Sequence, residues 1–221
     1  MILGVKVDRV TLPQALKIVD LWLISDRSKH YITTPNPEMI VAAQKDPDFK
    51  RILNAADLAI PDGAGLRLAD PKLRRLSGAD LMMALIKKGY KTLLCGSKPG
   101  VAQTAAKKLA DPERSRRVVG ITDPNLSKIN KIKPDLLFVA LGHGKQEKWI
   151  DKNLPKLKVK VAMGVGGSLD YIAKPWLRAP LLIQTLGLEW LWRLILQPWR
   201  IKRQLSLLEF VYLVLVKSWC L

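Results

Sequence analysis

The chain has 221 residues, enough for one sizeable core, and no Pro-rich, Ser-rich or repetitive segment divides it into independent domains. The formal net charge of +18 predicts an acidic partner: nucleic acid, an anionic membrane or a phosphate-bearing substrate. Cys95 and Cys220 are far apart and lack metal or redox spacing, which fits a reducing cytosol. Residues 1–8 are too short an apolar stretch, and charged too early, for a signal peptide.

Six short apolar runs along the chain each stop at a cluster of Gly, Pro, Thr, Asn or Asp. The clusters lie within residues 31–37, 59–65, 94–100, 119–125, 140–147 and 164–170. Helix-length segments separate them, and this alternation predicts an α/β fold with a mostly parallel sheet and flanking crossover helices. Because the loops after parallel strands meet at one edge of a sheet, we expect the ligand to bind there.

The helices can be predicted in chain order from capping residues and apolar spacing. The sequence Thr11-Leu12-Pro13-Gln14 has the form of a capping box and predicts a first helix to about Ser25. Further helices are predicted at residues 37–45, 46–53, 81–88, 101–109 and 146–154, with strands at 92–95 and 157–165. One helix is predicted from Pro180 to about Pro198, and another from Trp199 through the tail.

The Asp46-Pro47-Asp48 sequence has two interpretations. Many nucleotide-sugar transferases hold a divalent metal with an Asp-x-Asp pair, but an Asp before a Pro at the first helical position is an ordinary N-cap. The pair also lies a whole helix away from the nearest strand end. We therefore predict an N-cap and assign no metal.

The C-terminal tail contains the most apolar stretch of the chain, residues 205–216. It is interrupted by Glu209, closed by Lys217, and shorter than the ~20 apolar residues that a membrane-spanning helix needs. We expect it to lie on a membrane rather than to cross one. The predicted organisation is a core at residues 1–177 and a helical appendage at 178–221.

Other enzyme classes have little support. Gly63-x-Gly65 and Gly164-x-Gly166 lack the third glycine of a dinucleotide fingerprint, since Leu68 and Leu169 stand there. No Ser-His-Asp or Cys-His set is apparent. His143 follows a predicted strand, where ligand contact and plain solvation both remain open.

Asp62 and three tail arginines are the residues that we single out for chemistry. Asp62 either caps its own Pro-Asp-Gly turn or faces the crevice, beside Thr34 and Asn36, as a general base. The spacing of Arg193, Arg200 and Arg203 predicts one basic helical face, which either meets lipid or neutralises a diphosphate; the two roles are compatible.

Taken together, six ordered motifs resemble the WecG/TagA/CpsF glycosyltransferase family. They are Thr34-Pro35-Asn36-Pro37-Glu38, Pro61-Asp62-Gly63, Lys145-Gln146-Glu147, Gly164-Val165-Gly166-Gly167 with Asp170, Arg178-Ala179-Pro180 and Gly187-Leu188-Glu189-Trp190. The sequence departs from the usual family pattern at His143-Gly144 and at Lys174.

The resemblance implies an inverting, metal-independent enzyme without a cofactor. Such an enzyme moves an N-acetylmannosamine-type sugar from UDP to undecaprenyl-diphosphate-linked N-acetylglucosamine, for teichoic acid or another cell-surface polysaccharide. The implied structure is a Rossmann-like core with a C-terminal helical appendage that docks on the membrane. The resemblance therefore implies a cytoplasmic protein, peripheral at the inner face of the bacterial cell membrane.

The resemblance also implies roles for individual residues. Asp62 matches the catalytic base, Thr34 and Asn36 the sugar-contacting pair, and Arg75 a core arginine of the family. Gln146 and Asp170 match donor-nucleotide residues, and the tail arginines match those that complete the site over UDP: Arg193, Arg200 and Arg203.

Three alternatives remain open from the sequence. The charge allows a nucleic-acid-binding protein, although the chain lacks the interleaved aromatics typical of RNA-binding modules, because most of its seven Trp lie in the C-terminal third. A non-catalytic homologue is the second alternative. The third is a homo-oligomer, in which the apolar tail is buried against a second subunit instead of a membrane.

Overall fold

The computed structural model describes residues 1–25, 28–109, 117–174, 179–185, 188–196 and 201–219. Within these ranges, six strands form one sheet in the order β2-β1-β6-β5-β3-β4, and every neighbouring pair is parallel. The strands are β1 (His30–Thr33), β2 (Leu58–Ala59), β3 (Thr92–Gly96), β4 (Val118–Ile121), β5 (Leu136–Ala140) and β6 (Val161–Gly164). Each of the six predicted stops lies at the end of one of these strands, so the predicted α/β class is confirmed.

Helices connect the strands and extend beyond the last one. They are α1 (Leu12–Ser25), α2 (Pro37–Lys45), α3 (Pro47–Asn54), α4 (Gly78–Lys87), α5 (Val101–Leu109), α6 (Leu126–Ile132), α7 (Lys145–Asn153), α8 (Ser168–Ala173), α9 (Leu181–Thr185), α10 (Glu189–Leu196) and α11 (Ile201–Trp219). Short 3-10 helices lie at Ala64–Leu68 and Leu154–Lys156. At the start of α1, Gln14 reaches back as predicted and accepts the backbone N–H of Thr11 at 2.9 Å.

Three predictions differ from the structure by more than one residue at a boundary. Helix α4 begins three residues earlier than predicted, at Gly78. The last strand begins at Val161 rather than at 157, because the Leu157 N–H is bonded to the carbonyl of Leu154 in a turn. The helix predicted from Pro180 to Pro198 is instead two helices, α9 and α10, and the Leu188 N–H between them bonds to the carbonyl of Ile183.

The two faces of the sheet carry different helices. One hydrophobic cluster joins the sheet to α1, α4, α5 and α8, and a second joins the opposite side chains of the sheet to α3, α6 and α7. The chain therefore leaves β3 and β6 toward the first face, and β1 and β5 toward the second. Neighbouring strand ends thus diverge across the centre of the sheet, the arrangement that opens a ligand crevice at the carboxyl edge.

A third hydrophobic cluster attaches α11 to the core. Phe210 of α11 is fully buried and belongs to the same cluster as Ile40 of α2 and Leu66 of the first 3-10 helix. Glu209, which interrupts the apolar tail, pairs with Lys45 at the end of α2, with 2.7 Å between Oε1 and Nζ. The tail helix is therefore docked on the segments that follow β1 and β2.

Helix α11 also presents apolar side chains to solvent. Leu205, Leu208, Tyr212 and Leu215 follow one another at helical spacing and are 55–68% exposed; we call these four residues the apolar stripe. Among the described residues, no helix is long and apolar enough to cross a membrane.

The Asp46-Pro47-Asp48 sequence begins α3, as the N-cap interpretation predicts. Asp46 accepts the backbone N–H of Phe49 at 2.9 Å, and Pro47 is the first helical residue. Its carboxylate also accepts a hydrogen bond from Lys148 of α7 at 2.7 Å, and this partner lowers the pKa of Asp46. The Asp46 side chain thus starts α3 and links it to α7.

This assignment predicts how α3 responds to substitution. Asp46→Ala removes the cap and is expected to lower Tm by about 2–4 °C, whereas Asp46→Asn keeps a capping oxygen and is expected to change Tm by about half as much or less. Thermal melting followed by circular dichroism measures both. Stabilisation by added Mg²⁺ that disappears in both variants would contradict the cap assignment.

Candidate active site

The loop after β1 carries Thr34 and Asn36. Thr34 is buried at the strand end, and Asn36 is the N-cap of α2, where its Oδ1 accepts the backbone N–H of Met39 at 2.9 Å. The cap uses the amide oxygen of Asn36 and not its amide nitrogen. It also fixes the position of the side chain relative to Thr34.

The loop after β2 brings Asp62 to the same place. Its backbone N–H bonds to the carbonyl of Pro35 at 2.9 Å, which ties the second strand end to the first. The Asp62 side chain is half-buried. The next residue, Gly63, has a φ of 109°, and a β-carbon there would lie 3.8 Å from Cβ of Asn36. The structure therefore brings together the three residues that the sequence predicts at this edge.

Gly78, at the start of α4, marks the space between Asp62 and Thr34. A β-carbon built on Gly78 would lie 3.6 Å from Oδ2 of Asp62 and 2.9 Å from Cγ2 of Thr34. It would also lie 3.3 Å from Cε of Met163, on β6. Gly78 is thus surrounded by the Asp62 carboxylate, the Thr34 side chain and Met163 of β6, and a residue with a β-carbon does not fit there.

Arg75 lies on the segment that leads into α4. The backbone N–H of the next residue, Leu76, bonds to the carbonyl of Pro61 at 2.9 Å, so this segment runs alongside the Asp62 turn. The Arg75 side chain is half-buried. Its position beside Asp62 follows from the backbone pairing, which sequence periodicity does not predict.

The second half of the crevice lies at the ends of β3, β5 and β6. Gln146 is 4% exposed, and its Oε1 accepts the backbone N–H of Gly166 at 2.9 Å. Asp170 of α8 accepts a hydrogen bond from the Ser97 hydroxyl at 3.3 Å. Ser97 has a φ of 65°, and its N–H bonds to the carbonyl of Ala140 at 2.7 Å. These contacts connect three neighbouring strand ends.

The strand ends beside Asp62 and those beside Gln146 belong to one continuous edge of the sheet. Strand β6 pairs with β1 on one side and with β5 on the other, so Met163 lies opposite both Ile32 and Phe138. At a strand spacing of about 4.8 Å, the end of β2 lies roughly 14 Å from the end of β5. An elongated ligand can therefore reach both Asp62 and the Gly166 turn.

Buried ionisable groups lie beneath this edge. Burial raises the pKa of the Glu147 carboxyl, which is only 1% exposed. The pKa of Tyr31 is also raised well above its usual value. Burial is the main cause, and the negative charge of Glu147 is the second. The sequence motifs predict no individual role for Glu147 or Ser97, although Gly144 and Glu147 have the three-residue spacing of a cap at a helix start.

His143 packs against protein rather than lying in open solvent. Its ring is 5.6 Å from the ring of Phe49, between centroids, at a tilt of 51°. Because Phe49 belongs to α3, this contact directs His143 to the face where α3 and α7 pack together.

The tail approaches the Asp62 loop through α11. A β-carbon on Gly65 would lie 3.1 Å from Cδ1 of Leu207 and 2.9 Å from Cγ of Pro37. Arg193 lies on α10 and Arg203 on α11, whereas Arg200 falls outside the described residues. The boundary predicted between residues 177 and 178 also falls outside them.

A parallel α/β sheet with a carboxylate, a hydroxyl and amides at its carboxyl edge is the architecture of an enzyme that binds its ligand at a topological switch point. The sequence model of the glycosyl transferase WecG/TagA/CpsF family matches residues 1–221. The chain belongs to this family, which confirms the resemblance and the predicted enzyme class.

Two relatives illustrate the similarity. The N-acetylglucosaminyldiphosphoundecaprenol N-acetyl-beta-D-mannosaminyltransferase of Bacillus subtilis (strain 168) is 34% identical, over 85% of this chain and 82% of that protein. The protein of the same name from Staphylococcus aureus (strain MRSA252) is 31% identical, over 96% of this chain and 90% of that protein. These comparisons favour the transferase interpretation over the nucleic-acid one.

Proposed function

We propose that this chain transfers an N-acetylhexosamine of the N-acetylmannosamine type from UDP to undecaprenyl-diphosphate-linked N-acetylglucosamine. The names of the relatives support the sugar and the acceptor. The observation that carries the proposal is the position of Asp62. Its side chain is half-buried at the carboxyl edge of the sheet, and Gly78 lies between it and Thr34.

Asp62 acts as the general base in this proposal. An acceptor hydroxyl attacks the anomeric carbon of the donor, a new C–O bond forms, and the bond from that carbon to the UDP oxygen breaks with inversion. The proton of the hydroxyl passes to Asp62. A carboxylate can serve as this base because the hydroxyl becomes much more acidic in the transition state.

Each of the other predicted site residues interacts either with the donor sugar or with the UDP leaving group. Thr34 and Asn36 contact the sugar beside Asp62, and Gln146 and Asp170 serve the nucleotide at the far end of the crevice. Negative charge that develops on the departing diphosphate is neutralised by four guanidinium groups, which suit phosphate geometry. These belong to Arg75, Arg193, Arg200 and Arg203.

Mass spectrometry of the product tests this function. The protein is mixed with a panel of UDP-sugars and a lipid-diphosphate-linked N-acetylglucosamine, and one N-acetylhexosamine is expected to be added from the matching donor. Failure with every N-acetylated donor, or equal transfer to an acceptor without the diphosphate, would contradict the proposal.

The membrane surface is the proposed partner of the apolar stripe, with the protein peripheral at the inner face of the cell membrane. The stripe supplies apolar area and the +18 net charge supplies attraction to anionic lipid. A helix held on the core by Phe210 can expose its opposite face to lipid while remaining beside the Asp62 loop. A long-chain lipid acceptor then reaches the site from the bilayer.

Replacing two stripe residues tests this placement. The double change Leu208→Gln and Leu215→Gln is expected to weaken binding to anionic vesicles by about tenfold or more, because it removes apolar area from the interface. Binding to duplex DNA, compared as salt is raised, is expected to be weaker than vesicle binding and unaffected by this change.

Leu21 offers a matched control, since it lies on α1 and is 55% exposed, as is Leu215. Leu21→Gln is expected to bind vesicles like the unmodified protein. Equal losses in Leu21→Gln and the double variant would argue against a specific role for the stripe. A concentration-dependent dimer that the double variant abolishes would assign the stripe to a second subunit instead.

A further inference from the structure

Glu147 is a buried carboxylate at the start of α7. It accepts two hydrogen bonds, from the backbone N–H of Gly144 at 2.8 Å and from Nε2 of Gln146 at 2.7 Å. At 1% exposed it is far more buried than glutamates usually are. A carboxylate this buried costs free energy unless its contacts compensate, so these two bonds are central to its environment.

The hydrogen bonds continue from Gln146 to the next strand end. Oε1 of Gln146 accepts the N–H of Gly166, and the side chain lies directly against β6. A β-carbon on Gly164 would come within 2.6 Å of Nε2 of Gln146 and 2.9 Å of Oε1 of Glu147. We call the sequence of hydrogen bonds from Gly144 through Glu147 and Gln146 to Gly166 the edge bridge.

The Glu147 carboxylate determines which way the side-chain amide of Gln146 is turned. An ionised carboxylate only accepts hydrogen bonds, so Gln146 must turn its NH₂ group toward Glu147 and its oxygen toward Gly166. Glu147 thereby selects the one amide orientation that can hold the Gly166 N–H. A neutral amide at position 147 would turn its NH₂ group either toward the NH₂ group of Gln146 or toward the backbone N–H of Gly144, so one of the two hydrogen bonds is lost in either orientation.

The Gly166 turn borders open space. A β-carbon on Gly166 or on Gly142, which follow neighbouring strands, would meet nothing within 4 Å. Helix α8 begins two residues after Gly166 and carries Asp170, whose carboxylate accepts the Ser97 hydroxyl on the same face of the sheet. The edge bridge therefore ends at a turn that borders this open space.

We propose that Glu147 is a positioning residue that acts through the edge bridge to hold the Gly166 turn in the shape that binds the donor nucleotide. This inference rests on the proposed function, because it takes UDP as the ligand of that turn. It assigns to Gln146 an action through the backbone of Gly166 rather than by direct contact.

A reciprocal exchange provides the test. In the double variant Gln146→Glu with Glu147→Gln, the glutamate at 146 can accept from Gly166 and from the new amide, whose oxygen can accept from Gly144. All three hydrogen bonds and the net charge are retained, with only the middle bond reversed. Each single change instead breaks one bond of the edge bridge.

The Kd for UDP, measured by isothermal titration calorimetry, is the readout. We expect each single variant to weaken UDP binding by about tenfold or more and the exchange to return it to within about threefold of the unmodified protein. Asp151→Asn is the control: it removes one carboxylate from the same helix, where Asp151 pairs with Arg51 at 2.8 Å on the surface. It is expected to bind UDP normally.

The outcomes separate this inference from the proposed function. If the unmodified protein binds UDP and Glu147→Gln binds it equally well, or if the exchange is no better than the weaker single variant, the positioning role is overturned. If the unmodified protein does not bind UDP, the proposed donor is wrong and the inference is overturned with it. Thermal melting of every variant is measured alongside, so that affinity is compared between folded proteins.

Discussion

Asp62→Asn is expected to lower the rate of sugar transfer by about a thousandfold while leaving the Kd for UDP within about twofold. An amide has nearly the shape of a carboxylate but cannot take the proton of the acceptor hydroxyl. The backbone bond from residue 62 to the Pro35 carbonyl does not involve the side chain, so the turn is retained. Steady-state transfer to a lipid acceptor analogue and calorimetric titration of UDP measure the two quantities.

Asp123→Asn is a matched control for this prediction. Asp123 lies two residues after β4 and Asp62 three residues after β2, but Asp123 is exposed and β4 lies at the opposite edge of the sheet. Transfer should continue at the normal rate in this variant. Substantial turnover by Asp62→Asn would remove Asp62 from the mechanism, and equal losses in both variants would show a general effect of charge.

Phe210→Ala is expected to cost about 3–5 kcal/mol of stability and to lower Tm by roughly 10 °C. The side chain is fully buried between α11 and the segments after β1 and β2. Its loss leaves a cavity at the point where the tail helix is held on the core. We also expect transfer to fall at temperatures where the protein remains folded, because the tail is then less firmly placed beside the Asp62 loop.

Tyr212→Ala controls for the loss of an aromatic side chain from the same helix. Tyr212 lies two residues further along α11, in the apolar stripe, and is 64% exposed. Its replacement should change Tm little while weakening vesicle binding. Similar melting temperatures for the two variants would show that α11 is not anchored by Phe210.

The strand positions could be predicted because buried parallel strands have a local signature. Each is a short apolar run that ends where Gly, Pro, Asn or Asp permits a turn, and all six clusters fall at strand ends. The N-cap at Asp46 is equally local, since the cap, the following Pro and the helix are contiguous. Predictions failed where a single backbone hydrogen bond sets the end of an element, as where the Leu188 N–H bonds to the carbonyl of Ile183 between α9 and α10.

Parts of the candidate site could not be predicted because they depend on tertiary contacts. A glutamate on a polar helix is normally a surface residue, and nothing near Glu147 in the sequence indicates that α7 buries it against Gly164. Gly78 resembles an ordinary helix start until the fold brings Thr34 and Asp62 to either side of it. The tail is apolar on several faces, so the sequence does not indicate that Phe210 meets the core while Tyr212 meets solvent.

The most direct test of the account is the position of UDP in a crystal structure of the protein grown with the nucleotide. We expect UDP to lie along the carboxyl ends of β6, β5 and β3, against the Gly166 turn, with its terminal phosphate directed toward Asp62. UDP bound elsewhere, for example in the groove that Arg9 of the N-terminal segment lines together with Pro71 and Leu73, would contradict it. So would an Asp62 carboxylate separated from the nucleotide by packed protein.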